Sequence, residues 1–285
     1  MSEQSSGGVA TSYTLNDGHQ LPVIGFGTYP LRGEEGIAAM VSAIEAGYRL
    51  LDTAVMYGNE AEVGEAIRRS GVDRAELRVT SKIRGDQHAY ADAVASTEAS
   101  LQRLGLDYLD LHLIHWPNPE RGLYAEAWRA LVELRERGLV RSIGVSNFTG
   151  AHLERIIAES GVTPAVNQIE LHPRFPQVQM RAVNRELGIQ TEAWSPLGKR
   201  AAQFEAPAVA GPAARLGVGP AQVILRWHLQ LGTLPVPKSA DPLRQAANLR
   251  IFDFELSAEE MAAITALGRV DGRLFGGDPN THHEP

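Results

Sequence analysis

The sequence predicts a closed (β/α)₈ barrel that carries an N-terminal β-hairpin and two extra helices. Three observations lead there. Apolar, strand-like runs alternate eight times with segments of helical periodicity. Runs such as YLDLHLIHW and PAVNQIEL are apolar at most positions, as expected of parallel strands covered on both faces rather than of a half-exposed sheet. Polar residues close successive runs, with Asp52 and Lys82 30 residues apart and Lys82 and His115 33 apart. That interval is the length of one strand, one helix and their turns.

In chain order, residues 1–11 are rich in Ser and Gly and are expected to form a disordered tail. YTLNDGHQLPVI then reads as a hairpin around Asp17-Gly18, taken as a two-residue turn that tolerates positive φ. The eight strand runs are 24–28, 47–52, 77–82, 108–115, 140–146, 165–170, 189–194 and 233–237. Helical patterns lie between and after them at 34–46, 60–69, 88–104, 122–137, 150–160, 177–187, 219–231 and 241–249. The interval before Lys238 is long enough for an extra helix around 206–217. A second extra helix, SAEEMAAITALG, starts at Ser257, with Glu259 and Glu260 in its first turn, where a Ser cap and acidic groups favour the positive helix end. Residues 268–285 are expected to form a loop over the barrel mouth, with His282-His283 a mobile end. No linker divides the chain, so one barrel domain is expected over 1–285, with its site at the C-terminal ends of the strands.

The composition excludes several classes. The chain has 285 residues, 44% hydrophobic and 21% charged, ordinary globular usage. No apolar run approaches the ~20 residues of a membrane span, and the N-terminus lacks the pattern of a signal peptide. Cytoplasmic residence is therefore the expectation. A net charge of −7 argues against nucleic acid as a partner. With no cysteine there is no disulfide, thiolate nucleophile or Cys-ligated metal, and redox chemistry would need a bound cofactor. His112 and His115 do not suggest a metal pair, because strand residues three apart face opposite sides. His112 should face the helices, His172 and His228 should be structural, and no metal is expected. A monomer acting on a small molecule is the expected state.

Asp52, Tyr57, Lys82 and His115 would share one pocket if the strands pair in parallel. Taken singly, each has an ordinary reading as a turn cap, a packing residue, a surface cation or a bonded core histidine. Together they make an acid–base set suited to protonating a carbonyl oxygen. Tyr57 would be the general acid, with its proton made easier to lose by the Lys82 ammonium. Asp52 would hold Lys82 charged, and His115 would orient the carbonyl. None can donate hydride, so reduction needs a nicotinamide. Gly25-Phe26-Gly27 lacks the third glycine of a dinucleotide-binding turn and falls in the first strand. The later strand ends offer another place. Ser146, Asn147 and Gln168 can hydrogen-bond a carboxamide, Trp194 offers a stacking face, and Ser195-Pro196-Leu197-Gly198 makes a tight loop suited to a pyrophosphate. Lys238 with Arg244, or Lys199 with Arg200, could meet a phosphate. Tyr29 and Trp116 would line an apolar wall, the short turn PNPERG suggests an accessible mouth, and Arg84 could attract a carboxylate.

The segments DTAVMYGNE, TSKI, LHLIHWP, RSIGVSNF, NQIELHP, EAWSPLG and VPKS, in this order, resemble the aldo-keto reductases over residues 13–268, especially bacterial members such as the 2,5-diketo-D-gluconic acid reductases. The resemblance implies the tetrad Asp52, Tyr57, Lys82 and His115, and NADPH extended across the barrel mouth. It implies Ser146, Asn147 and Gln168 at the carboxamide, Trp194 on the nicotinamide, and Lys238, Ser239, Arg244 and Asn248 at the adenosine end. Ala247 departs from the family, where an acidic residue often stands. The function expected is NADPH-dependent reduction of aldehydes and ketones, among them keto-sugar acids or small dicarbonyls. Two alternatives are a Schiff-base aldolase using Lys82 and an NADPH-binding regulatory protein without turnover.

Overall fold

The computed structural model describes residues 11–199 and 201–285. The expected N-terminal tail falls almost entirely on residues 1–10, outside that range, as does Arg200. Strands β1 (Ser12–Thr14) and β2 (Gln20–Pro22) form the antiparallel hairpin. Its loop differs from the expected two-residue turn. The Leu15 N–H bonds the His19 carbonyl at 2.8 Å, leaving Asn16, Asp17 and Gly18 as a three-residue loop with Gly18 at φ +88°. Such loops place a left-handed residue last, and the geometry is anchored from outside, by the Asn16 amide donating to the Pro164 carbonyl.

The alternation then runs as expected, with the strands shorter than their apolar runs. It begins β3 (Phe26–Gly27), α1 (Gly33–Ala46), β4 (Leu50–Asp52), α2 (Glu60–Ser70), β5 (Arg78–Ile83), α3 (Tyr90–Leu104) and β6 (Leu109–Ile114). It continues α4 (Tyr124–Glu136), β7 (Val140–Ser146), α5 (Gly150–Ser160), β8 (Val166–Glu170), α6 (Val178–Glu186) and β9 (Gln190–Trp194). The extra helix α7 (Pro207–Leu216) precedes α8 (Pro220–Gln230), β10 (Leu234–Pro235) and α9 (Pro242–Leu249). The last helix, α10 (Ala258–Thr265), starts with reciprocal capping: Ser257 Oγ accepts the Glu260 N–H at 3.2 Å, and the Glu260 carboxylate accepts the Ser257 N–H at 2.8 Å.

Strands β3 to β10 pair in parallel, each with its sequence neighbour. The barrel closes where Gly25 and Gly27 donate their N–H groups to the Pro235 and Pro237 carbonyls at 3.0 and 3.1 Å. A Cβ on Gly27 would lie 3.0 Å from the Val236 carbonyl oxygen, so a glycine there allows the first strand to reach the last. Apolar helix faces pack on the outer strand faces in three clusters, centred on residues such as Met40, Trp128 and Trp227. A fourth cluster fills the lower barrel, where Leu15 and Leu21 of the hairpin meet Leu50, Leu111, Leu113, Val166 and Leu234. Among the described residues no helix is long and apolar enough to cross a membrane, and no group of three or more His, Asp or Glu is placed to hold a metal ion.

Three buried histidines belong to the framework. His112 faces the helices as expected, its Nε2 3.1 Å from Thr97 Oγ1 on α3. His228 spans Thr233 Oγ1 and the Pro196 carbonyl, and His88 lies fully buried after β5. Burial disfavours their charged forms and lowers them to about 4 for His88 and His112 and about 3 for His228. The unfolded chain, with imidazoles near ~6.5, therefore binds more protons than the folded one below that pH, and stability falls as pH drops towards the folded values. Urea unfolding followed by Trp fluorescence from about pH 6.5 to about pH 5 should show a falling midpoint, each imidazole contributing up to roughly 1 kcal/mol per pH unit. A constant midpoint would mean these rings take up protons in the folded protein as readily as in the unfolded chain.

Candidate active site

The upper barrel is polar where the lower barrel is apolar. β4 ends on Asp52, and the chain turns at once into a short 3₁₀ segment, Val55–Tyr57. Asn59 fixes that turn: its amide donates to the Thr28 and Leu31 carbonyls at 3.1 and 2.9 Å and its carbonyl oxygen accepts the Thr53 hydroxyl at 2.7 Å. Tyr57 is thereby held over the strand ends. β5 delivers Lys82, wholly buried, with its Nζ 2.7 and 2.9 Å from the two Asp52 oxygens, 3.0 Å from the Thr53 carbonyl and 3.4 Å from Tyr57 Oη. His115 follows β6, its ring edge-on to Tyr57 with centroids 5.7 Å apart. The four residues expected to converge do so.

Burial and charge oppose one another here. Burial is the largest single influence on Lys82 and favours its neutral form, but the groups around it, Asp52 foremost, together outweigh burial and hold the ammonium above its usual range. Tyr57 departs from expectation. Its ring borders the cavity but its hydroxyl lies deep, and burial raises it above an ordinary phenol despite the downward pull of Lys82. In the ligand-free protein Tyr57 therefore keeps its proton across the neutral range.

A further buried carboxyl lies beneath the tetrad. Gln168 Nε2 donates to Asp52 Oδ2 at 2.8 Å and to Glu192 Oε1 at 2.9 Å. Burial, and then the neighbouring Asp52 charge, push Glu192 well above the carboxylate range. This layer of the barrel thus sets the Lys82 cation and the Asp52 anion beside a Glu192 carboxyl that favours its neutral form. Sequence reading missed Glu192, although its position two residues before Trp194 in β9 puts it on the same strand face.

A cavity of about 760 Å³ opens above these groups, bordered by Tyr29, Trp116, Asn147, Trp194 and the backbone of Ser195 to Lys199, and reaching Lys238. Trp194 Nε1 donates to Asn147 Oδ1 at 2.8 Å, and Asn147 Nδ2 to the His115 carbonyl at 3.0 Å. Ser146 is behind this layer, wholly buried, its hydroxyl donating to the Gln168 main-chain carbonyl. Ser195 and Gly198 both have positive φ, and the Gly198 N–H closes the turn on the Ser195 carbonyl at 2.9 Å, with Leu197 lining the cavity between them. Lys238 stands exposed on the rim. Arg244, 79% exposed on α9, has Asp241 at 3.3 Å. Ser239 and Asn248 are buried; the Ser239 hydroxyl serves the backbone of Asp241.

The substrate side corrects three expectations. Arg84 does not line the cavity: its Nε donates to the Pro285 carbonyl oxygen at 2.7 Å and lies 3.3 Å from Asp86, so its charge is engaged away from the site. Residues 268–285 cross the mouth in line with the expected loop, so the mouth is roofed on one side rather than as accessible as the short PNPERG turn suggests. Leu274 N–H bonds Glu170 Oε1 at 2.7 Å, Phe275 packs 5.3 Å from Trp194, and Lys199 sits 4.5 Å from the Phe275 ring. His282, expected to be mobile, stacks 4.0 Å from Trp116, and Glu284 is buried against His115. Nothing periodic in this Gly-rich segment signals that path.

The sequence pattern of the Aldo/keto reductase family matches residues 23–269. A 2,5-diketo-D-gluconic acid reductase B from Corynebacterium sp. (strain SHS752001) is 58% identical, over 95% of this chain and 97% of that protein. An aldo/keto reductase from Brucella melitensis, solved by crystallography, superposes with a TM-score of 0.87 at 46% identity, over 90% of this chain and 98% of its own. A Bombyx mori aldo-keto reductase solved with NADP gives a TM-score of 0.85 at 35% identity, over 96% and 94% of the two chains. With eight parallel strands delivering this tetrad to one cavity, the chain belongs to the aldo/keto reductase family.

Proposed function

We propose that this protein is an NADPH-dependent reductase of aldehydes and ketones, with Tyr57 as general acid. The observation that carries the reading is the Tyr57 hydroxyl 3.4 Å from a buried ammonium that Asp52 anchors, at the floor of a cavity walled by Trp194. The residues present fit a dinucleotide. Trp194 offers a flat face, Asn147 and Gln168 offer amides, the Ser195–Gly198 turn presents backbone, and Lys238 with Arg244 supplies cations at the far end. The Arg244 guanidinium suits a 2′-phosphate because it can bind one with two parallel hydrogen bonds.

Bound nicotinamide supplies the hydride for the carbonyl carbon. The carbonyl oxygen, directed by His115 and Tyr57, becomes an alkoxide and takes the Tyr57 proton. Lys82 then neutralises the phenolate left behind, and Asp52 keeps Lys82 charged throughout. A high resting proton affinity suits this role: Tyr57 arrives protonated and gives up its proton only when a stronger base, the nascent alkoxide, forms beside it.

Compact polar carbonyl compounds, keto-sugar acids and small dicarbonyls among them, are the proposed substrates. The diketogluconate reductase at 58% identity supports that class. The aldolase reading is disfavoured by the Lys82 environment, since a nucleophilic amine must be neutral. A regulator without turnover would bind NADPH but not consume it with any carbonyl compound. Cytoplasmic residence and a monomeric state accompany the proposal.

Three measurements test this. Tyr57→Phe should lower turnover by about 10² to 10⁴ while leaving NADPH affinity nearly unchanged; equal activity would remove Tyr57 from the reaction. Arg244→Ala should weaken NADPH far more than NADH in fluorescence titrations, whereas equal losses would separate Arg244 from the 2′-phosphate. Asp52→Ala, which leaves Lys82 buried and unpaired, should lower unfolding stability by roughly 3–5 kcal/mol. Replacing the ion pair together, as Asp52→Asn with Lys82→Met, should restore most of that loss.

A further inference from the structure

Glu284 is only 3% exposed and is held from three directions. Asn118 clasps its main chain, with Nδ2 donating to the Glu284 carbonyl at 2.7 Å and Oδ1 accepting the Glu284 N–H at 3.1 Å. One carboxylate oxygen accepts the Gly85 N–H at 2.9 Å. The other lies 2.6 Å from His115 Nδ1, an ion-pair distance although off the line of an N–H hydrogen bond. Gly85 is required for this approach, because a Cβ there would come within 2.2 Å of Asn118 Nδ2 and 2.5 Å of the Glu284 carbonyl oxygen. A carboxylate from the far end of the chain is therefore built into the back of the active site.

We propose that Glu284 is a positioning residue for His115: its buried carboxylate, set against Nδ1, holds the ring with Nε2 turned to the substrate and pairs with the imidazolium, the form in which Nε2 donates to the carbonyl. This rests on the reading of His115 as the group that directs the carbonyl. An imidazole has one proton when neutral, and with that proton on Nδ1 its Nε2 is an acceptor. A second proton turns Nε2 into a donor for a carbonyl oxygen, and an adjacent carboxylate offsets the charge that results. The geometry differs from an isolated histidine, which has no buried carboxylate against its ring.

The other titratable or charged groups around the ring are Tyr57, Lys82 and Asp52 on the cavity side, and His88, Asp86, Arg121 and His282 towards the C-terminal segment. They are the same in the parent protein and in a Glu284 variant, so a comparison isolates the carboxylate. Glu284→Gln keeps the shape, the Asn118 clasp, which uses main-chain atoms, and an oxygen for Gly85. It removes only the charge.

The test is an NMR titration of the His115 ring in ¹⁵N-His-labelled, cofactor-free protein, assigned with His115→Gln, alongside kcat/KM profiles for a reactive aldehyde. In Glu284→Gln the His115 titration midpoint should move to lower pH by about one unit or more. The alkaline fall of kcat/KM should move with it, and kcat/KM at neutral pH should drop at least about tenfold, as for other histidines that lose an orienting carboxylate. NADPH affinity should stay within about twofold, because Glu284 borders neither Trp194 nor Lys238. An unmoved midpoint overturns the proposal, and so does a rate loss with an unchanged pH profile, which would mark Glu284 as a tail anchor only. Failure of the reductase reading looks different: the parent protein would then oxidise no NADPH with any aldehyde, whatever the NMR midpoint does.

Discussion

One ion pair organises the site: Lys82 and Asp52, on neighbouring strands inside a barrel, both cut off from water. A lone buried charge would cost several kcal/mol, so each requires the other, and the pair requires every polar contact around it. Thr53, Gln168 and Tyr57 supply those contacts. The parallel register that places Asp52 beside Thr80 and Lys82 beside Leu113 brings the two charges to the same level of the barrel. The Tyr57 phenol is then an outer member of a network whose centre is fixed by electrostatic necessity.

Around that centre the protein separates its polarity by height. The lower barrel is aliphatic, the middle holds Lys82, Asp52, Gln168 and Glu192, and the upper layer is aromatic and amide-rich. Glu192 shows why the middle layer works. A second full negative charge beside Asp52 would leave two buried carboxylates sharing a single ammonium, and burial, with the Asp52 charge, favours the neutral carboxyl at Glu192. The net charge presented to Tyr57 is accordingly set by environment as much as by residue type.

Much of this was legible in the amino-acid order because it depends on period. Strand and helix lengths repeat, so Asp52, Lys82 and His115 could be placed at successive strand ends, and the extra helices α7 and α10 were visible as a long interval and as a Ser257 cap. Glu192 was readable by the same two-residue rule that placed Trp194, but a carboxylate in an apolar run draws less notice than a tetrad. What depends on long-range contact was not legible. The hairpin loop grew by one residue because Asn16 reaches Pro164, about 150 residues away in sequence. Arg84 was diverted by Pro285, and Trp116 was roofed by His282, through a segment with no periodicity to reveal its course. The sign of the Tyr57 shift also escaped, because it is a contest between desolvation and one cation whose outcome depends on depth.

The hairpin at the foot of the barrel has a consequence for proton traffic. Leu15 and Leu21 stopper the lower end beneath a layer of leucine and valine, while the cavity that reaches Tyr57 opens at the upper end. In the proposed reaction the spent phenolate must regain its proton from above, along the same passage that the alcohol product uses to leave. Recharging the acid and emptying the pocket thus share a single doorway, and the catalyst is reset only after that doorway clears.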